Sequence, residues 1–386
     1  MYKLFVKLSV FTIFVLAVYI EGRPKVEHQS KNLTATISIH YKKYVGNMFS
    51  TPYPYSFGII AGRNDDVATL RIVSLKGGRL KEDKIPLSKF EPARESGHMI
   101  AESPNLIMTG NRIFSVFDMY KQKLLVEYWG IGNVLINSYH KAKVVDFEKM
   151  LVLTLFDPLY DDNYEKPVNN TYALTIEDLA NKKRVKQVPV STLSGDYKIE
   201  NFNASHPDVF FGDDFTIYRE SAGYDWLCVD NDLNPVEHPL VNILKEKDNL
   251  FGKRSISLLI SQKNGYAVAM YYSARQKRLA VLSWIKDPSF VPVDIDSSAP
   301  LTDRNFTMSP SGSWVFFKAN FGKNYLLYLN NKLSLYHAPV IHLDYDGSFD
   351  MVTWMTTPEG LVIFNEGMLH YWDLSTFNPE GVEKGK

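Results

Sequence analysis

Two acidic runs come nearest to a metal loop in this 386-residue chain. Asp344, Asp346, Ser348 and Asp350 place side-chain oxygens at alternate positions around Gly347. A calcium loop of the EF-hand type needs its glycine at position 6 and a bidentate Glu at position 12. Here the glycine falls at the fourth position and no such Glu follows. Asp230, Asp232 and Asn234 repeat the alternation, but Pro235 stands where that glycine belongs. Both runs therefore read as solvated turns closed by Asx hydrogen bonds, and no metal site is predicted. The nine histidines are scattered, and no two are four residues apart as in a zincin helix. The chain has no G-x-S-x-G elbow, Walker loop, dinucleotide fingerprint or Cys/His zinc spacing. No catalytic residue and no cofactor is predicted.

The residue types that remain suit binding. Asp157 to Asn170 is a fourteen-residue insertion between two strand-like runs, and it carries Tyr160, Asp161, Asp162 and Tyr164. Recognition residues gather on loops held by a rigid scaffold, so these four are binding candidates. Trp129, followed by Gly130-Ile131-Gly132, sits at a strand end and is the tryptophan best placed to stack on a ligand. Trp226, Trp284, Trp314, Trp354 and Trp372 lie inside strand patterns and are predicted to pack in the core. Cys228, the only cysteine, alternates with Trp226 in Tyr-Asp-Trp-Leu-Cys-Val-Asp and reads as a small core residue.

The elements that must position these residues are short strands. Runs of four to eight residues rich in Val, Ile, Leu, Tyr and Phe recur between Gly, Asn, Asp and Pro turns. From Ser261, Ser309 and Thr357 the same order of turn and strand repeats every 48 residues. A period of ~40–50 residues with several strands per unit is that of a propeller blade. The hairpins predict an all-β propeller of seven four-stranded blades, with six or eight as alternatives. The best helical candidate, Val241 to Leu250, is short and interrupted by Asn and Asp. Lys182-Lys183-Arg184 with Lys186 reads as a solvated basic loop. Leu33 to Tyr41 alternates with period 2 but has no hairpin partner nearby. The last unit supplies three strands, Asp350–Met355, Leu361–Phe364 and Met368–Leu374, and lacks a fourth. The orphan strand is predicted to complete it and close the ring, which removes two exposed sheet edges.

Ser309-Pro310-Ser311-Gly312, the apolar run after it, a Gly-Lys-Asn turn and Tyr325-Leu326-Leu327-Tyr328-Leu329 resemble the repeat of the TolB-like and WD40-like propeller superfamily. Thr357, Pro358 and Gly360 give a second match. The resemblance implies a fold, since members include binding platforms, periplasmic assembly factors and enzymes. In such a turn, Pro presets φ and Gly takes the positive-φ position.

Composition bounds the function. Lys+Arg and Asp+Glu number 43 each, so the formal net charge is zero and the basic stripe of a nucleic-acid binder is missing. Lys3 and Lys7 precede a 13-residue apolar run, Leu8 to Ile20. That run has the length of a secretory h-region and is short for a membrane span. The predicted domains are a signal peptide at 1–22, a flexible segment at 23–32, one propeller at 33–376 and a polar tail at 377–386. An uncleaved N-terminal anchor is the alternative. Export without a possible internal disulfide points to a bacterial cell envelope, periplasmic or secreted. The sequence thus predicts a non-catalytic binding or scaffolding propeller that engages a protein or a surface glycan. The rival is a propeller enzyme, a glycan hydrolase or lyase with its site at the central channel.

Overall fold

The computed structural model describes residues 32–33, 35, 37–41, 47–61, 69–76, 79–86, 99–102, 106–109, 114–119, 121, 123–128, 141–146, 148–156, 159–160, 167–168, 171–192, 209–219, 225–251, 256–261, 265–273, 276–284, 289–293, 301–319, 323–329, 340–345 and 351–377. The described residues begin with two short strands, β1 (Asn32–Leu33) and β2 (Ile37–His40), followed by sheet after sheet. Sheet 1 holds β3 (Asn47–Ser50), β4 (Ser56–Ala61), β5 (Thr69–Ser74) and β6 (Lys81–Pro86). Sheet 2 holds β7 (Met99–Glu102), β8 (Leu106–Thr109), β9 (Phe114–Asp118) and β10 (Lys123–Tyr128). In sheet 3, β11 (Lys141–Asp146) and β12 (Leu151–Phe156) are followed by a separate ribbon, β13 (Leu159–Tyr160) with β14 (Pro167–Val168). The sheet then resumes with β15 (Thr171–Asp178) and β16 (Lys183–Thr192).

Sheet 4 has three strands, β17 (Val209–Phe211), β18 (Phe215–Arg219) and β19 (Trp226–Asp230), and is followed by helix α1 (Pro239–Phe251). Sheet 5 holds β20 (Ser257–Ser261), β21 (Tyr266–Ser273), β22 (Gln276–Ser283) and β23 (Ser289–Val293). Sheet 6 holds β24 (Leu301–Met308), β25 (Trp314–Ala319), β26 (Asn324–Tyr328) and β27 (Val340–Leu343). Sheet 7 holds β28 (Met351–Thr356), β29 (Glu359–Asn365) and β30 (Met368–Asp373). Within each sheet, chain neighbours pair antiparallel, as the hairpin spacing predicts.

The sheets pack face to face in chain order, because central strands such as β18 and β29 bury apolar side chains on both faces. Leu153 and Leu174 of sheet 3 pack on Val209, Tyr218 and Val229 of sheet 4. Ile217 and Trp226 of sheet 4 meet Ala267, Tyr271 and Leu282 of sheet 5. Sheet 5 meets sheet 6 through Val268 and Val281 against Val315 and Phe317. Sheet 6 meets sheet 7 through Phe316 and Leu326 against Trp354 and Trp372. The first strands stand side by side, β3 with β7, β7 with β11, β17 with β20 and β20 with β24.

Sheet 7 then meets sheet 1, which makes the stack a ring. Phe364 and Leu369 of sheet 7 share a cluster with Met48, Phe57 and Val73 of sheet 1. The Thr356 hydroxyl donates to the Thr51 carbonyl at 2.7 Å, and the Tyr55 N–H donates to the Thr357 carbonyl at 2.6 Å. The N-terminal strand closes the ring as the sequence predicts: β2 pairs antiparallel with β30, Ile37 opposite Tyr371 and Ile39 opposite Leu369. One detail differs from the sequence reading. Leu33 to Tyr41 is not one strand, because β1 pairs in parallel with β27 of sheet 6, Asn32 opposite His342 and Leu33 opposite Leu343. The strap therefore serves two sheets, with Ala35 packed on the cluster between them.

Other expectations change for local reasons. Gly312 has φ +73°, and its N–H donates to the Ser309 carbonyl at 2.8 Å, as a turn glycine requires. Gly360 instead lies within β29, opposite Met355 and Asp373, and Thr357-Pro358 is a cis peptide. Gly360 is there for space, since a β-carbon would overlap the Tyr371 ring and lie 2.6 Å from the Trp372 carbonyl oxygen. The basic run 182–186 is mostly strand: only Lys182, with φ +53°, sits in the turn, and β16 begins at Lys183. The helix runs 13 residues, longer than the sequence suggests, with Leu240, Val241, Ile243 and Leu244 buried against sheets 4 and 5.

Candidate functional site

The insertion is built on an undisturbed sheet. β12 and β15 pair without a break from Leu151 opposite Asp178 to Phe156 opposite Ala173. Outside that ladder the inserted residues form a ladder of their own, Leu159 opposite Val168 and Tyr160 opposite Pro167. The ribbon lies beside β15 and β16. In an antiparallel four-stranded sheet, successive turns alternate between the two ends. The second-to-third connection therefore opens on the same end of the ring as the connections between sheets. Of the predicted binding residues, Tyr160 is thus placed in the β13 backbone. Asp161, Asp162 and Tyr164, between the two ribbon strands, and Trp129 lie outside the described residues.

The opposite end of sheets 3 and 4 gathers the ionisable groups that sequence reasoning missed. Lys143 of β11 reaches into the β17–β18 turn. Its ammonium donates to the carbonyls of Gly212 at 2.8 Å and Phe215 at 3.1 Å, and to Asn231 Oδ1 at 2.6 Å. Burial pushes this amine down to about 8, against the opposing pull of Asp213 and Asp214. Lys186 of β16 donates to the Asp232 carbonyl at 2.6 Å and to Asn234 Oδ1 at 2.8 Å. Two lysines of sheet 3 thus grip the two turns of sheet 4. The signal was the charge of residues 182–186, but the acceptors lie about fifty residues further on.

Asp230 closes its turn as expected. Its Oδ1 accepts the N–H groups of Asp232 at 2.9 Å and Asn234 at 2.8 Å, and its Oδ2 accepts the Asn234 amide at 3.0 Å. Asp230 titrates below the usual carboxylate range; burial opposes that shift, and the Asn234 and Asp232 hydrogen bonds with the Lys186 charge outweigh it. The buried ion pairs are structural. Arg184 Nε donates to Glu177 Oε1 at 2.8 Å with both side chains fully buried. Asp248 of α1 accepts from Arg219 and from the Trp226 indole. Cys228 is buried, and burial pushes its thiol up to about 12, which suits an inert core residue. Trp226, Trp314, Trp354 and Trp372 are buried as expected, while Trp284 stays half-buried against Phe215 and His238.

Charge is unevenly spread over the innermost strands: β7 carries Glu102, β11 carries Lys141, Lys143 and Asp146, and β24 carries Asp303 and Arg304. β3, β17, β20 and β28 contain no Asp, Glu, His, Lys or Arg. Residues from several blades converge at a propeller's channel, so an acid–base centre there draws on these strands or on their flanking loops.

No protein-family profile matches the chain, and no curated protein matches it. Solved structures do. The β-propeller domain of Myceliophteria thermophila Cps50 (Swd1) superposes with a TM-score of 0.55 at 11% identity, over 88% of this chain and 98% of that one. A chain of the mitotic checkpoint complex gives a TM-score of 0.48 at 8% identity, over 90% and 97%. At such identity the likeness speaks for architecture. With sheets packed in a ring and a strap that closes it, the chain has the β-propeller fold.

Proposed function

We propose that this protein is an exported, non-catalytic binding or scaffolding propeller, seven-bladed, that engages a protein or a surface glycan through the ribbon end of the ring. One observation carries the reading: the 157–170 insertion has its own strand ladder, while the sheet beneath keeps its register from Leu151 to Phe156. A fourteen-residue excursion that the sheet does not need is a recognition element in the making. Tyr160, Asp161, Asp162 and Tyr164 of the insertion, with Trp129, are the contact residues of this reading.

The test compares the intact protein with a variant in which residues 158–168 are replaced by Gly-Gly. Both are printed against a panel of surface glycans and used as bait for envelope proteins. Recognition by the intact chain, lost in a variant with the same circular dichroism spectrum, is the expected result. Equal recognition by both, or turnover of a glycan by the intact chain, overturns it. Export is checked by N-terminal sequencing, which should find a mature chain starting near Arg23. A full-length cytoplasmic product contradicts it.

A further inference from the structure

Among the described residues sheet 4 has three strands, and helix α1 follows its last strand. Among the described residues β19 pairs on its outer side through the bridge Val229 to Pro235, and the chain then turns into the helix, which packs beside β19 and β21. The residue before the helix is His238, at the N-cap position, followed by Pro239 at the first helical position. Its imidazole does the work usually given to Ser or Asp: the Leu240 N–H donates to His238 Nδ1 at 3.2 Å. That bond requires a lone pair on Nδ1, so the ring is neutral with its proton on Nε2. The ring is also held by aromatic neighbours. It stacks on Phe215 of β18 with centroids 4.1 Å apart, and it meets Trp284 at the end of β22 edge-on at 5.6 Å.

We infer that His238 makes α1 a pH-sensitive latch: protonation at Nδ1 on acidification removes the helix cap and loosens α1 from sheet 4 while the rest of the ring stays closed. Two effects act together. The protonated ring no longer accepts the Leu240 N–H, and it sets a positive charge at the positive end of the helix dipole. The surroundings bear this out. Burial lowers the affinity of the ring for a proton, and the charge acting against that is Asp214, in the turn before β18. Lys143, reaching the same turn from β11, draws on the same carboxylate. From β22 the ring faces the uncharged indole of Trp284, and from α1 the Leu240 N–H. Glu237, its chain neighbour, is exposed. Release of α1 uncovers the apolar surface now covered by Leu240, Val241, Ile243 and Leu244.

Amide hydrogen exchange of the full chain tests the latch, with rates corrected for their intrinsic pH dependence. Between pH 7.5 and 5.0, protection of the α1 amides should fall about tenfold, and that of β29 and β30 should not change. The His238→Asn variant keeps a cap acceptor that does not titrate, so its α1 protection should be the same at both pH values. Unchanged protection of α1 in the wild-type chain, or an equal fall in His238→Asn, overturns the proposal. A second reading needs no variant. The Cε1–H resonance of His238 in the wild-type chain should titrate at a lower pH than that of an unfolded peptide with the same segment, and a midpoint equal to or above the peptide's overturns it.

Discussion

The indole Nε1 of Trp226 donates to Oδ2 of Asp248 at 2.8 Å, across 22 residues of chain and from a strand to a helix. The same carboxylate accepts from Arg219 Nη2 at 3.1 Å, and the Arg219 guanidinium lies 4.3 Å from the centre of the Trp226 ring. All three side chains are buried. This triad is the polar anchor that ties α1 to sheet 4. Removing one partner of a buried ion pair leaves the other charge without its counterion, which costs about 3–5 kcal/mol. Asp248→Ala should lower stability by that amount in a denaturant titration. The double variant Arg219→Leu with Asp248→Leu should recover much of the loss, since apolar replacements of a buried pair are often neutral. If Asp248→Ala costs under about 1 kcal/mol, the anchor role is wrong.

Tyr41 ends the strap and ties the last sheet to the first. Its N–H donates to the Gly367 carbonyl at 2.6 Å, and its hydroxyl donates to Glu82 Oε1 of β6 at 2.8 Å. Arg71 of β5 completes the group, 3.4 Å from the same carboxylate oxygen. Burial, with Glu82 adding to it, raises the Tyr41 phenol to about 12, so the hydroxyl stays a donor. Deleting residues 23–44 removes this group together with Ile37 and Ile39, partly buried against the same cluster. The loss of stability should be on the order of 5 kcal/mol. An unchanged melting temperature of the truncated chain argues against closure by the strap.

The two glycines of the turn motifs should respond to alanine for different reasons. Gly312→Ala forces a β-carbon into positive φ, at about 1 kcal/mol. Gly360→Ala pushes a β-carbon into the Tyr371 ring and towards the Trp372 carbonyl, which the closing sheet must move to accommodate. About 1–3 kcal/mol is expected. Denaturation midpoints of the two variants separate the mechanisms, because Tyr371→Ala should relieve Gly360→Ala and leave Gly312→Ala unaffected. Additive effects of Gly360→Ala and Tyr371→Ala would falsify the steric account.

The sequence was legible where a local pattern decides the outcome. Period-2 alternation places Ile37 and Ile39 opposite β30, and turn spacing predicts the pairing of β12 with β15 and of β18 with β19. It misled where a distant partner decides. The division of the strap between β27 and β30 leaves no trace in the alternation, which runs through Leu33, Ala35 and Ile37 alike. Asp248 weakens a helical reading of 239–251 until Arg219, 29 residues back, is seen beside it. Arg184 reads as exposed charge because its partner Glu177 is brought opposite only by the pairing of β15 with β16, whose register shifts there. The candidate site was legible only as an excursion between strands. The Tyr160 ladder supports its place on the ring, and the aromatic and acidic letters around it carry the rest.

Lys143 gives the last prediction, and its sign is opposite to that of a lysine gaining an acidic partner. The amine is held at about 8 in the folded chain by burial, against an ordinary value of 10.5. Below pH 8 it is charged in the folded and unfolded chains alike. Between 8 and 10.5 the unfolded chain still holds a proton that the folded chain has released, so stability rises with pH across that window. The gain is complete above 10.5 and absent below 8. Lys143 is half-buried, so solvent screening cuts the gain to on the order of 1–3 kcal/mol. Lys143→Arg keeps a charge that does not titrate in this range and should lack the gain. Other lysines titrate equally in both chains, so the quantity to measure is the difference in unfolding free energy between wild type and Lys143→Arg at pH 7, 8, 9 and 10. That difference should be constant up to about pH 8 and then move in favour of the wild type. A difference that stays flat to pH 10 means that the carbonyls of Gly212 and Phe215 hold the ammonium charged, and that the cage offsets its burial in full.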